Sequence, residues 1–149
     1  MDVVIFCGGL GSRLGEETIL KPKPMVKIGD KPILWHIMKY YSSYGYNRFI
    51  LPVGYKAQTI INYFQSKVSR FFDTEEYNKW EVVLEDTGLN TLKGGRLKRI
   101  QKHIKTKVFH LTYGDGVCNV SIDKLVNFYN NNSNKVGALT AVHPPSRFG

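Results

Sequence analysis

Three glycines, a serine and two cations are spaced to handle phosphate groups. Gly8, Gly9 and Gly11 follow the apolar run Val3 to Phe6, with Leu10 between them and Ser12 and Arg13 directly after. Glycines at a strand exit let a ligand approach the backbone closely. Successive N–H groups in such a turn form a concave anion site. Ser12 adds a hydroxyl, and Arg13 a planar cation whose fork can hold two phosphate oxygens. Lys23 follows ten residues later, between Pro22 and Pro24. Two prolines restrict that backbone, so the second cation is presented from a stiff segment. The pattern predicts a site for a phosphate chain, with Arg13 and Lys23 as its catalytic cations.

Other readings of the glycine turn are weaker. A dinucleotide fingerprint requires G-x-G-x-x-G opening a helix. Gly9-Leu10-Gly11-Ser12-Arg13-Leu14 lacks the third glycine, and prolines soon follow. A Walker loop requires Gly-Lys-Ser/Thr after four spacer residues, and none is present. A tight strand exit without ligand remains open, but it leaves the Arg13 and Lys23 spacing without a purpose.

The elements that must position these residues alternate. Strands are expected at Asp2–Cys7, Arg48–Val53, Trp80–Leu84, Val108–Tyr113 and Gly137–Val142, with a short extended piece at Met25–Ile28. Helices are expected at Pro32–Tyr44, Lys56–Lys67, Leu97–Ile104 and Asp123–Asn130. Pro32 suits a first helical position and Gly45 a C-terminal cap. Ser69 to Lys79 has no clear period, and Glu85 to Gly95 reads as a glycine-bearing loop. Alternating strands and helices predict an α/β fold: a doubly wound, mostly parallel Rossmann-like sheet with helices on both faces. Ligands of such sheets bind beyond the carboxyl ends of the strands. That edge collects the glycine turn, Gly54-Tyr55, the Glu85 to Gly95 loop and Asp115.

At 149 residues, one domain over 1–149 is expected, and 42% hydrophobic residues suffice for a core. No apolar run is long enough to span a membrane. No signal-peptide pattern precedes the first strand, which predicts a cytoplasmic location. Cys7 and Cys118 lack metal-ligand spacing and are expected to be free thiols. The net charge of +9 implies anionic partners without saying which. Seven cations fall between Lys93 and Lys107, but Leu97, Ile100 and Ile104 form the inward stripe. A solvated helix face explains them better than a nucleic-acid patch, since no aromatics are interleaved. His36 has no partner at metal spacing and reads as structural.

Several stretches together resemble the sugar-phosphate nucleotidylyltransferases. They are Gly8-Gly9-Leu10-Gly11-Ser12-Arg13-Leu14, Lys21-Pro22-Lys23-Pro24-Met25-Val26, Gly29 to Met38, Asp86-Thr87-Gly88, Gly94-Gly95-Arg96-Leu97-Lys98-Arg99, Thr112-Tyr113-Gly114-Asp115-Gly116 and Pro144 to Gly149. The last five are similar to the cytidylyltransferase branch of that family. The resemblance implies transfer of the cytidylyl group of CTP to α-D-glucose 1-phosphate with Mg²⁺, giving CDP-glucose and diphosphate for surface-polysaccharide synthesis. It implies nucleotide contacts at Phe6, Gly8, Gly9, Leu10, Gly11, Ser12, Arg13 and Lys23, and a metal ligand at Asp115. It places Thr87, Gly88, Thr91, Gly94, Gly95 and Arg96 around the base. No nucleic acid and no membrane is implied as a partner. Lys93 departs from the pattern, standing where the family carries a threonine, and Cys7 stands where it carries an alanine. The 72–80 segment is shorter than in the family, where it serves subunit contacts. The resemblance covers only the family's N-terminal part, so the chain is expected to be a nucleotide-binding half, weak or inactive alone, whose sugar half lies beyond Gly149. Another base or sugar, and a non-catalytic nucleotide-binding module or half of a split enzyme, are the alternatives.

Overall fold

The computed structural model describes residues 1–9, 21–67, 80–132 and 134–143. Leu10, Gly11, Ser12 and Arg13, the Ser69 to Lys79 segment and Pro144 to Gly149 lie outside the described residues. The chain divides into two compact units, Met1–Val117 and Cys118–Gly149.

The first unit is built on four parallel strands: β1 (Asp2–Phe6), β4 (Arg48–Val53), β5 (Glu81–Asp86) and β6 (Phe109–Tyr113), in the order β5-β4-β1-β6. Two short strands, β2 (Lys27–Ile28) and β3 (Lys31–Pro32), pair antiparallel beside them. Parallel strands covered on both faces need continuous apolar runs. Val3, Val4, Ile5, Phe49, Ile50, Leu51 and Val53 supply these and are buried. Val4 lies beside Ile50, and Ile50 beside Val83. That row packs against Ile100 and Leu97 of α3 (Lys93–Ile100).

The opposite row carries α1 (Ile33–Ser43). Trp35 meets Trp80, which stands edge-on to Phe49, and Tyr41 meets His110, the register partner of Val3. The sheet is therefore covered on both faces, as the alternating pattern predicts. Helix α2 (Ala57–Lys67) joins β4 to β5 and buries Ile60 and Phe64.

Most boundaries fall within two residues of expectation, with informative exceptions. Pro32 closes β3 with an extended backbone, and α1 begins one residue later. Gly45 ends α1 at φ +85°, its N–H donating to the Ser42 carbonyl (2.9 Å). The expected loop over Glu85 to Gly95 is shorter: Lys93, Gly94 and Gly95 already belong to α3. A Cβ on Gly95 would lie 2.9 Å from the Thr91 methyl, so glycine lets the helix start against that side chain.

The basic face of α3 and the segment after it is tied down. Lys102 and His103 pair with Glu85, and Lys105 with Glu81, both carboxylates on β5. This favours a solvated, paired face over a nucleic-acid surface. Among the described residues, no strand pairs with the outer edge of β6, and Leu111 there is half exposed.

In the second unit, α4 (Ile122–Asn131) starts at Ser121, whose hydroxyl accepts from the Lys124 N–H (3.3 Å). The expected strand over Gly137–Val142 does not form. Val136, Leu139 and Val142 are exposed. β-propensity depends on pairing and packing in context, so a β-prone run need not become a strand. Among the described residues, no helix is long and apolar enough to cross a membrane. Both cysteines are free, Cys7 buried and Cys118 exposed.

The N-terminus is anchored by a buried carboxylate. Asp2 accepts from the Lys105 N–H (2.6 Å) and lies 3.0 Å from the Arg48 guanidinium. Burial pushes its pKa up, but the Lys105 N–H and Arg48 outweigh it, and the net shift is down from 3.8. The stabilisation is therefore present above pH 3.8 and is lost as pH falls through the lower folded-state value. Asp2→Asn should cost about 1–2 kcal/mol near neutrality. It should also flatten the acid limb of urea midpoints measured between about pH 6 and pH 3. An unchanged acid limb would remove Asp2 as its source.

Candidate functional site

Strand order reverses between β1 and β6. The chain steps from β1 outward to β4 and β5, then returns to place β6 on the other side of β1. In an open α/β sheet the crevice at such a switch point is the ligand site. A cavity of about 610 Å³ opens there, a volume ordinary for a small-molecule site.

Its floor is the exit of β1 and β6. Phe6 and Tyr113 are register partners, their rings 5.9 Å apart, and the Gly114 N–H donates to the Phe6 carbonyl (3.0 Å). Gly114 is required here: a Cβ would sit 3.0 Å from both Cys7 Sγ and the Pro24 ring. Gly8 and Gly9 line the cavity directly after β1. Cys7 lines it too, with its thiol turned to the Ile5 carbonyl (3.3 Å). Burial, and then Asp115, push that thiol far above its ordinary pKa, so it stays a neutral filler and not a nucleophile.

Lys23 opens a single 3-10 turn, Lys23–Met25, held by the Met25 N–H on the Pro22 carbonyl (2.8 Å). The expected stiff presentation between prolines is what forms. Its ammonium lies 3.9 Å from the Asp115 carboxylate. A cation and a carboxylate 92 residues apart in sequence thus meet beside the glycines. Asp115 is the one acidic residue lining the cavity among the described residues, facing Lys23, Lys93 and Arg96. The cavity is electropositive, as a polyanion site should be.

No cluster of three or more potential metal ligands occurs among the described residues. A single exposed carboxylate still fits Mg²⁺, which is commonly held by one or two carboxylates, water and substrate phosphates. Asp115 is the residue that would hold it.

The segment after β5 supplies another wall of the cavity. Thr91 lines the cavity, and its hydroxyl accepts from Arg99 (2.8 Å). Thr87, Gly88, Gly94 and Gly95 do not line the cavity. Thr87 is fully buried, donating to the Val53 carbonyl (2.7 Å). Gly88 turns the chain at φ +82°, its N–H on the Asp86 carboxylate.

Arg96 is 5% exposed and joins three strand exits. Nη1 donates to the Val53 carbonyl (3.1 Å) and the Thr87 hydroxyl (2.6 Å); Nη2 donates to the carbonyls of Gly8 (2.8 Å) and Leu89 (3.1 Å). Gly8 and Gly54 lie against the guanidinium so closely that a Cβ on either would overlap it. Burial pulls its pKa down, with the Asp86 charge pulling back up in part. Arg96 is thus chiefly a staple whose remaining surface forms cavity wall.

Leu89, Asn90, Leu92 and Lys93 line the cavity within the Glu85 to Gly95 loop that the sequence placed on this edge, though none was singled out there, and Pro24 and Tyr113 were not singled out either. The position of Tyr113, directly before Gly114, offered a signal.

The nucleotidyl transferase family matches residues 2–149. Glucose-1-phosphate cytidylyltransferase of Salmonella typhimurium strain LT2 is 46% identical over 163 residues, covering all of this chain and 63% of that protein. A probable glucose-1-phosphate cytidylyltransferase of Bacillus subtilis strain 168 is 37% identical, again with all of this chain and 63% of that protein covered. The chain thus spans 63% of the length of these curated relatives. Among solved structures, HddC from Yersinia pseudotuberculosis complexed with GMP-PN superposes with a TM-score of 0.68 at 34% identity, covering 86% of this chain and 53% of that one. UTP-bound UGPase from Acinetobacter baumannii shares the fold, with a TM-score of 0.72 at 20% identity over 89% of this chain and 53% of that one. A reversed parallel sheet, a glycine exit and a lysine–aspartate pair at the switch point accompany a match across nearly every residue, and the chain belongs to the nucleotidyl transferase family.

Proposed function

We propose that this chain carries the nucleotide site of a sugar-phosphate nucleotidylyltransferase that moves the cytidylyl group of CTP onto α-D-glucose 1-phosphate. The observation that carries it is the meeting of the Gly8-Gly9 exit, Lys23 and Asp115 in one cavity at the β1/β6 switch point. The names of the Salmonella and Bacillus relatives supply the base and the sugar.

In the proposed reaction a phosphate oxygen of glucose 1-phosphate attacks the α-phosphorus of CTP. The new P–O bond forms in line as the bond to the β-phosphate oxygen breaks, and diphosphate leaves. Both reactants are polyanions, so catalysis is mostly positioning and charge neutralisation. Gly9, where a side chain would meet open space, lets the triphosphate approach the backbone, while Gly8 makes room for the Arg96 guanidinium behind it. Lys23, oriented by Asp115, places a point charge beside the reacting phosphate. Arg13, outside the described residues, is assigned to the departing diphosphate on its position in the sequence. Asp115 would hold Mg²⁺, which when bound would supply further neutralisation of phosphate charge. The neutral Cys7 is no competing nucleophile, and a single displacement with inversion at phosphorus follows.

Calorimetric titration with CTP, UTP, dTTP, GTP and ATP, each with and without Mg²⁺, tests this. Selective, magnesium-dependent CTP binding is expected. Lys23→Ala should weaken it about tenfold to a hundredfold, as a charge-assisted contact to phosphate is lost. Unchanged binding would remove Lys23 from the site. The likeness to HddC with its guanine nucleotide favours a second reading, selection of another base, which preferential GTP binding would establish.

A further inference from the structure

We infer that Lys93 is an additional phosphate-binding cation of the cavity, held in readiness over the Tyr113 ring. The inference rests on the nucleotide-site reading above and deepens it.

Lys93 is the first residue of α3 and lines the cavity. A lysine there is locally unfavourable: the helix N-terminus already carries partial positive charge, and α3 has no acidic residue in its first turn. The other cations of this region that reach a described carboxylate do so on β5, namely Lys102 and Lys105. Lys93 makes no ion pair with any described residue. Its ammonium instead lies 5.1 Å from the centroid of the Tyr113 ring. Tyr113 lines the same cavity, contacts Phe6, and is two residues from Asp115.

A cation over an exposed ring is held only weakly, whereas a charge-assisted hydrogen bond to phosphate is stronger and shorter. A phosphate entering the cavity would therefore take the ammonium from the ring. The exchange also relieves the charge at the start of α3, because an anion there is favoured by the helix N-terminus. Two phosphates could be the partner, that of the nucleotide or that of the sugar.

The test compares wild type, Lys93→Thr and Lys93→Arg in titrations with CTP, cytidine and glucose 1-phosphate at two salt concentrations. Lys93 is exposed and hydrogen-bonds nothing in the core, so the variants should fold as wild type does. If the nucleotide is the source, Lys93→Thr should bind CTP about tenfold more weakly and with a shallower salt dependence. Cytidine affinity should be unchanged, and Lys93→Arg should retain most of the CTP affinity. Loss confined to glucose 1-phosphate would assign the same contact to the sugar phosphate. Equal CTP and glucose 1-phosphate affinities in wild type and Lys93→Thr, or an equal loss for cytidine and CTP, would overturn the inference while leaving the nucleotide site standing. Failure of the folded wild type to bind any nucleotide would overturn both.

Discussion

Arg96→Ala should cost about 2–4 kcal/mol of stability and abolish measurable nucleotide binding at the same time. The guanidinium makes four hydrogen bonds that converge from three strand exits: Gly8 after β1, Val53 at the end of β4, and Thr87 and Leu89 after β5. Val53 and Gly8 keep other donors on their carbonyls, from Thr87 and Tyr55. The Leu89 carbonyl and the spacing of the exits lose their support, and a cavity is left behind the wall. Stability follows from urea midpoints and binding from titration with CTP. Lys cannot replace the fork, because one point charge does not span three carbonyls, so Arg96→Lys should recover little of either quantity. A variant with wild-type stability and wild-type CTP affinity would show that the three exits hold their places without the staple.

Gly8→Ala should be nearly as damaging, and its cost should depend on Arg96. A Cβ at Gly8 would fall on Arg96 Nη1 and Cζ, and one at Gly54 would lie 2.5 Å from Nη1 and 2.8 Å from the Gly88 carbonyl. Neither glycine has a positive φ, so space and not backbone strain forbids the side chain. The arginine cannot swing aside cheaply, because four hydrogen bonds pin it. Gly8→Ala alone is expected to lose about 2–3 kcal/mol. In an Arg96→Ala background, where the methyl has room, most of that loss should vanish. The double-mutant cycle should therefore show a coupling of about 1–3 kcal/mol. Additive losses would mean that glycine is needed at residue 8 for another reason.

Much of the fold was legible from the chain because it rests on local signals. The runs Val3 to Phe6 and Phe49 to Val53 are apolar without alternation, and both lie in parallel strands with buried cores. Gly45 marks the end of α1 because only its φ closes that helix easily. One local signal misled: Gly137–Val142 is β-prone, yet these residues form no strand. The start of α3 misled in the other direction. Gly94-Gly95 reads as loop, but Gly95 is needed for close packing on Thr91 inside the helix.

The candidate site divides the same way. Residue type and spacing alone determined that Gly8, Gly9 and Lys23 could handle phosphate, and that Asp115 stands at a strand end. Tertiary structure decided which residues share the cavity. It joined Lys23 to Asp115, left Thr87, Gly88, Gly94 and Gly95 out of the lining, and brought Lys93 over Tyr113. It also gave Arg96, a cavity-lining residue, a stapling role that reaches a carbonyl 88 residues away. The physical reason is the range of each interaction. Backbone preference and apolar periodicity act over a few residues and are written in the chain. A hydrogen bond or ion pair depends on a few ångströms between groups far apart in sequence, and only the order β5-β4-β1-β6 sets those distances.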